Sequence, residues 1–169
     1  VLTNQNIANE YLGVTTEEAA IITGDPNTAS GPWDFWGLKE TGNKLKDPTD
    51  GSAPDAEGDW DEVLQRVSIF LQQSGLAYRE MLEVLGSYFI NPATSTGRRF
   101  GIVSTDVSHP DTCNLSRLKI QVTDSTISDK RAALKEAWNK IHRFVRLSRK
   151  LGWTMRDLDK AIVALQPKN

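Results

Sequence analysis

One cysteine, Cys113, stands in 169 residues, so the chain cannot close a disulfide on itself. Its stability has to come from a packed core, which a chain of this length can bury. Histidine is equally scarce. His109 and His142 lie 33 positions apart, whereas a metal site wants ligands at short helical or hairpin spacing. The nearest grouping, His109-Pro110-Asp111-Thr112-Cys113, supplies too few ligands by itself, and a lone cysteine reads as a small buried hydrophobe rather than a nucleophile. No phosphate-binding glycine loop, dinucleotide fingerprint or serine nucleophile elbow is present. Gly97-Arg98-Arg99-Phe100-Gly101 is basic and glycine-flanked but matches no phosphate cradle. The expectation is a protein that is not an enzyme and uses no metal or cofactor. No apolar run approaches the ~20 residues of a membrane-spanning helix. The opening Val-Leu-Thr-Asn shows neither an initiator Met nor a basic stretch leading into an apolar one. No signal peptide is legible, and the chain reads as a fragment of a longer polypeptide.

Charge is abundant but segregated. The formal net charge is −2. Between Glu40 and Glu62 there are eight acids against two lysines, and between Lys130 and Lys160 ten basic residues against three acids. Such polarity fits an anionic partner surface, a nucleic-acid face, or attraction between two parts of one assembly. Nucleic-acid domains carry a net basic charge, so no nucleic-acid partner is expected here. Arg143, Arg146 and Lys150 recur at three- and four-residue spacing and share one helix face. They are the candidate interaction residues, together with Trp33 and Trp36 of the aromatic knot Pro32-Trp33-Asp34-Phe35-Trp36. That knot reads either as an anchor for a partner or as a plug beneath a long loop.

A turn unit is written three times. Leu12-Gly13-Val14-Thr15, Ser74-Gly75-Leu76-Ala77 and Leu151-Gly152-Trp153-Thr154 are each followed by an acid and by apolar positions at helical spacing. Glycine past a helix end takes the left-handed conformation that lets the chain fold back onto the unpaired carbonyls. The next apolar residue (Val14, Leu76, Trp153) then covers the helix end. Thr15 and Thr154 cap the following helix, with Glu18 and Asp157 as capping-box partners. Ala77 in the second copy weakens that cap by about 1 kcal/mol. The candidate structural residues are therefore Gly13, Gly75, Gly152, Leu76 and Trp153. Their unequal spacing argues for helix hairpins in one fold rather than a solenoid.

The periodicity predicts helices over 4–11, 16–23, 59–73, 78–90, 129–150 and 155–165. Residues 44–58, rich in Pro, Gly, Asp and Lys, predict an exposed loop. Residues 93–126 read as irregular, with short strands at Phe100 to Val103 and Leu118 to Val122 that can pair as one ribbon. The fold expected is mainly all-α: an irregular bundle of helix hairpins with one small two-stranded β ribbon, as a single domain over 1–169 or a piece of a larger shell.

Five strings in order carry a resemblance. They are Ile22-Thr23-Gly24; Phe70-Leu71-Gln72-Gln73-Ser74-Gly75-Leu76-Ala77-Tyr78-Arg79-Glu80-Met81-Leu82; Phe89-Ile90-Asn91-Pro92; Cys113-Asn114-Leu115; and the run from His142 through Arg149-Lys150-Leu151-Gly152-Trp153 to Asp159. Together they resemble the A component of the insecticidal toxin complexes (Tc toxins), a group related to virulence-plasmid A proteins. Ser148 departs from the family pattern, where Trp is expected, which implies a divergent member or looser packing. The resemblance implies a segment of the α-helical outer shell of a very large bacterial chain, secreted or displayed at the cell surface. That chain forms a homopentamer, binds target cells, and drives a channel through the membrane in a pH-triggered rearrangement. A toxic enzyme from the B and C components passes through the channel. The segment's partners would be other parts of the same chain, neighbouring protomers, indirectly the B and C components, and the target-cell surface. No catalytic residue carries over. The rival reading is a stand-alone helical adaptor that docks a protein or anionic partner through the basic helix.

Overall fold

The computed structural model describes residues 3–25, 31–95, 97–108 and 113–165. Among these residues there are seven α-helices and three two-stranded antiparallel ribbons, about half helix and 14% strand. The chain is mixed α/β, which corrects the all-α expectation. Two of the three ribbons, at 43–58 and 93–98, are built from short polar strands with no alternation of apolar residues to announce them.

The first two helices, α1 (Asn4–Leu12) and α2 (Thr16–Thr23), follow the predicted spans closely. A single 3₁₀ turn, Asp34–Trp36, holds the aromatic knot. The segment predicted as an exposed loop is exposed for most of its length, but its ends are closed by a ribbon. Strand β1 (Asn43–Leu45) pairs with β2 (Ala56–Gly58), Asn43 opposite Gly58 and Leu45 opposite Ala56. Asp47 turns inward beneath it and is 6% exposed. Its carboxylate accepts from Ser68 Oγ at 2.5 Å, Thr49 Oγ1 at 2.7 Å and the Thr49 N–H at 2.9 Å.

The helix expected over 59–73 is broken in two, α3 (Trp60–Val63) and α4 (Val67–Ser74). The break gives backbone to a strand. The Gln65 carbonyl accepts the Ile120 N–H at 2.8 Å, and Arg66 bridges to Lys119. After α5 (Tyr78–Gly86) comes a minimal ribbon, β3 (Ala93–Thr94) with β4 (Gly97–Arg98). The one ribbon expected from sequence follows: β5 (Phe100–Ser104) pairs with β6 (Leu118–Val122), Ile102 opposite Ile120. The long α6 (Lys130–Leu151) and α7 (Met155–Leu165) complete the chain.

The buried apolar side chains form one cluster drawn from every helix except the first two, with Ile120 and Phe100 from the ribbon. Its centre is aromatic. Trp36, Phe70 and Trp138 stand with ring centres 5.5–6.4 Å apart in tilted and edge-on arrangements, the geometry that ring quadrupoles favour. On α5 the buried stripe is Met81, Val84 and Leu85, while Tyr78 and Leu82, apolar at the same helical spacing, are 38% and 44% exposed. No helix among the described residues is long and apolar enough to cross a membrane.

Candidate functional site

The repeated junctions are built as their residues dictate. Gly13, Gly75 and Gly152 have φ of 61°, 64° and 65°, the left-handed region that a Cβ penalises. Gly13 and Gly152 close Schellman turns. The Val14 N–H reaches the Asn9 carbonyl at 2.8 Å, and the Trp153 N–H reaches Ser148 at 3.1 Å. Gly75 makes the simpler left-handed cap through one bond to the Leu71 carbonyl at 3.0 Å. Thr15 and Glu18 form the complete capping box. Thr154 Oγ1 accepts the Asp157 N–H at 3.1 Å. At Ala77 only the reverse half survives, the Glu80 carboxylate accepting the Ala77 N–H at 2.8 Å. Leu76 is buried, as a cover for the helix end should be. Trp153 does not serve that way, being 48% exposed. Ser148 is buried and its hydroxyl donates to the Trp153 carbonyl at 2.8 Å, so the position is tightly packed rather than loose.

The basic face of α6 is spent on other helix ends. Arg143 donates from Nε to the Ile22 carbonyl at 2.7 Å and from Nη2 to Thr23 at 2.9 Å, closing α2. Arg149 donates to the Ser74 and Gly75 carbonyls at 3.1 and 3.3 Å, closing α4. Lys150 meets Glu18 Oε2 at 3.1 Å, the same oxygen that accepts the Thr15 N–H. These contacts hold the Glu18 carboxyl below its ordinary value, the Thr15 N–H first and Lys150 next. Helix C-termini carry partial negative charge, so cations placed there gain both hydrogen bonds and dipole attraction. The acidic run meets the other end of α6. Arg131 grips Asp59 and Asp61, with Asp61 fully buried and Lys135 at 3.7 Å from it. The Asp61 carbonyl also accepts the Trp138 indole N–H at 3.2 Å.

Arg146 stands apart from its neighbours. Its guanidinium lies 5.6 Å from the Phe35 ring centre, within cation–π range. Phe35 in turn stacks on His142 with ring centres 4.4 Å apart. Trp36 is buried and Trp33 packs against the core, so the knot is a plug rather than an exposed anchor. Between α2, the 34–36 turn, the end of α4 and the last turns of α6 lies a cleft of about 450 Å³. Phe35, Trp36 and His142 stand in its wall with Arg146, Arg149 and Lys150 around it. Burial, followed by the charges of Arg146 and Arg143, pushes the His142 imidazole down to about 4, so it is neutral at pH 7.

Cys113 is exposed, not the buried hydrophobe expected. His109, with residues 110–112, lies outside the described residues. Among the described residues no group of three His, Cys, Asp or Glu side chains is arranged to hold a metal. The Asn114 carboxamide accepts from the Ser116 N–H and Oγ at 3.0 and 2.8 Å and so caps the 3₁₀ turn Leu115–Arg117.

Two polar clamps had no sequence signal. Asp159 on α7 accepts the Tyr88 and Phe89 N–H groups at 2.9 and 2.8 Å, seventy residues away along the chain. Asn91 donates to the Leu85 and Phe100 carbonyls and accepts the Phe100 N–H, each at 2.9 Å. The burial of His142 was legible in part, because Trp138, Ile141 and Val145 bracket it on one helix face. Set against protein-family models, curated proteins and solved structures, the chain finds no match.

Proposed function

We propose that the chain is a structural segment of the outer shell of a toxin-complex A subunit, the family its ordered strings resemble. Its work is mechanical: it packs helices against one another and against neighbouring segments and protomers of a secreted or surface-displayed pentamer. The observation that supports this reading is the fate of the basic helix. Arg143, Arg149 and Lys150 are engaged at the ends of α2 and α4 and at the start of α2. An adaptor would keep those cations for its partner. A shell segment uses them to lock three helices into one joint.

The experiment is to clone the parent reading frame and express it whole. A frame many times longer, whose product assembles as a pentamer with residues 1–169 in its outer shell by electron microscopy, is the expected result. A frame that starts close to Val1 and stops at Asn169, giving a monomer, overturns the proposal and favours the adaptor.

A further inference from the structure

The cleft beside α6 carries chemistry that the helix joint leaves unused. Trp36 and His142 are 3% and 6% exposed, yet the Trp36 Nε1–H and the His142 Nδ1 have no hydrogen-bond partner among the described residues. Buried polar groups are almost always satisfied, and both side chains line the cleft. Arg146 lines it too. Among the described residues its guanidinium meets the face of Phe35 and no hydrogen-bonding or ion-pair partner. A single water could serve the two buried atoms. The cleft of about 450 Å³ holds far more than one water, and Arg146, exposed at its rim, adds a positive charge to it.

The charges around the cleft set the sign of a ligand. Lys150 is neutralised by Glu18, and Arg149 is occupied by the carbonyls at the end of α4. Those carbonyls do not cancel the Arg149 charge, so with Arg146 the cleft keeps an excess of positive charge that favours an anion. The cleft's size lies in the range of small-molecule sites and is too small for a helix. His142 Nε2 lies 3.1 Å from Asn139 Oδ1. In the tautomer that donates this bond, Nδ1 is an acceptor.

We propose that this cleft binds a small aromatic or aliphatic hydroxycarboxylate. Arg146 and the Trp36 indole N–H receive the carboxylate, His142 Nδ1 accepts from the hydroxyl, and the apolar body lies against Phe35, Ile22 and Val145. This site stands whether or not the chain belongs to a toxin shell.

The test is an NMR titration of the 169-residue chain with mandelate, read at the Trp36 indole N–H resonance. That resonance is assigned by its contacts to the His142 ring, because Trp36→Phe removes a core side chain. Mandelate is expected to shift the resonance saturably. Phenylacetate, which lacks the hydroxyl, should bind on the order of tenfold more weakly, the loss expected of one buried hydrogen bond. Arg146→Gln should weaken mandelate by at least about tenfold, while Arg156→Gln, a change elsewhere on the surface, leaves it unaltered. An indole resonance unmoved at millimolar mandelate overturns the proposal. So does an Arg146→Gln chain that binds like the parent, or phenylacetate as tight as mandelate. Inorganic phosphate that competes equally, or a water at the indole that mandelate fails to displace, overturns it as well.

Discussion

Arg143 shows how far a single side chain reaches in this molecule. Its two bonds tie α6 to the last carbonyls of α2, 120 residues earlier. Gly24 leaves the room for it, since a Cβ there would stand 2.8 Å from the guanidinium. Arg143→Met keeps much of the aliphatic stem and deletes both bonds. It should lower the unfolding free energy by about 1.5–3 kcal/mol, the usual scale for hydrogen bonds from a charged donor. Urea denaturation measures the loss, and faster amide exchange confined to residues 16–23 would place it at α2. The residue types were legible in the sequence, and the shared face of Arg143, Arg146 and Lys150 was too. What each cation touches was not, because Ile22, Ser74 and Glu18 come to α6 only by long-range packing. Asp61 makes the same point: it reads as one more acid in an acidic run, yet it is buried and gripped by Arg131.

Among elements, the helix ends carry the local rules and the helix interiors obey the core. Gly152 has open space around its missing Cβ and a φ of 65°. Gly152→Ala therefore meets no clash, only the left-handed strain, and should cost about 1–2 kcal/mol. Gly86, the last residue of α5, has open space and no positive φ. There the same substitution should stabilise by about 0.4–1 kcal/mol by narrowing the unfolded ensemble. Thermal unfolding of the two variants side by side checks the opposite signs. The helix broken at Leu64–Arg66 marks where local periodicity fails. Apolar spacing from Val63 to Leu71 favours one continuous helix, but β6 is an edge whose Ile120 N–H needs an acceptor, and Gln65 supplies it. An unsatisfied strand edge is costly enough to override the propensity of three residues.

For the whole molecule, acid is the condition that sets the parts against one another. His142 titrates at about 4 in the fold against an ordinary value of 6.5. It is packed on Phe35 and Trp36, beside Arg143 and Arg146 on its own helix, and it shares the cleft with Glu18 of α2 and with Arg149 and Lys150. Because the folded state resists protonation, its contribution is full above pH 6.5 and is lost as pH falls from there toward 4. Asp47 and Glu18 have lowered values, so their contributions are present above the ordinary 3.8 and 4.5 and are lost as pH falls below them. For Asp47, burial raises the value and the hydrogen bonds from Ser68, Thr49 and Asp50 overcome it. Stability should thus decline in two stages on acidification. His142→Gln should flatten the first stage and leave the second. Urea midpoints measured from neutral to acidic pH give the answer, and a flat profile would remove this segment from any part in a proton-driven rearrangement.

The sequence by itself determined the reversals and most of the helices. Glycine past a helix end, threonine with an acid three residues on, and apolar residues at helical spacing act through neighbours in the chain, so they are complete before any folding. It also disclosed the ribbon in which one strand alternates, Leu118–Val122 paired with Phe100–Ser104. Only the tertiary structure decided that the basic face would close the ends of α2 and α4, that Trp36 would be buried and Trp153 left exposed, and that two ribbons would form from polar residues. Those outcomes depend on which surfaces meet. A helix end, a strand edge or a buried carboxylate takes its partner from whatever segment the core brings beside it.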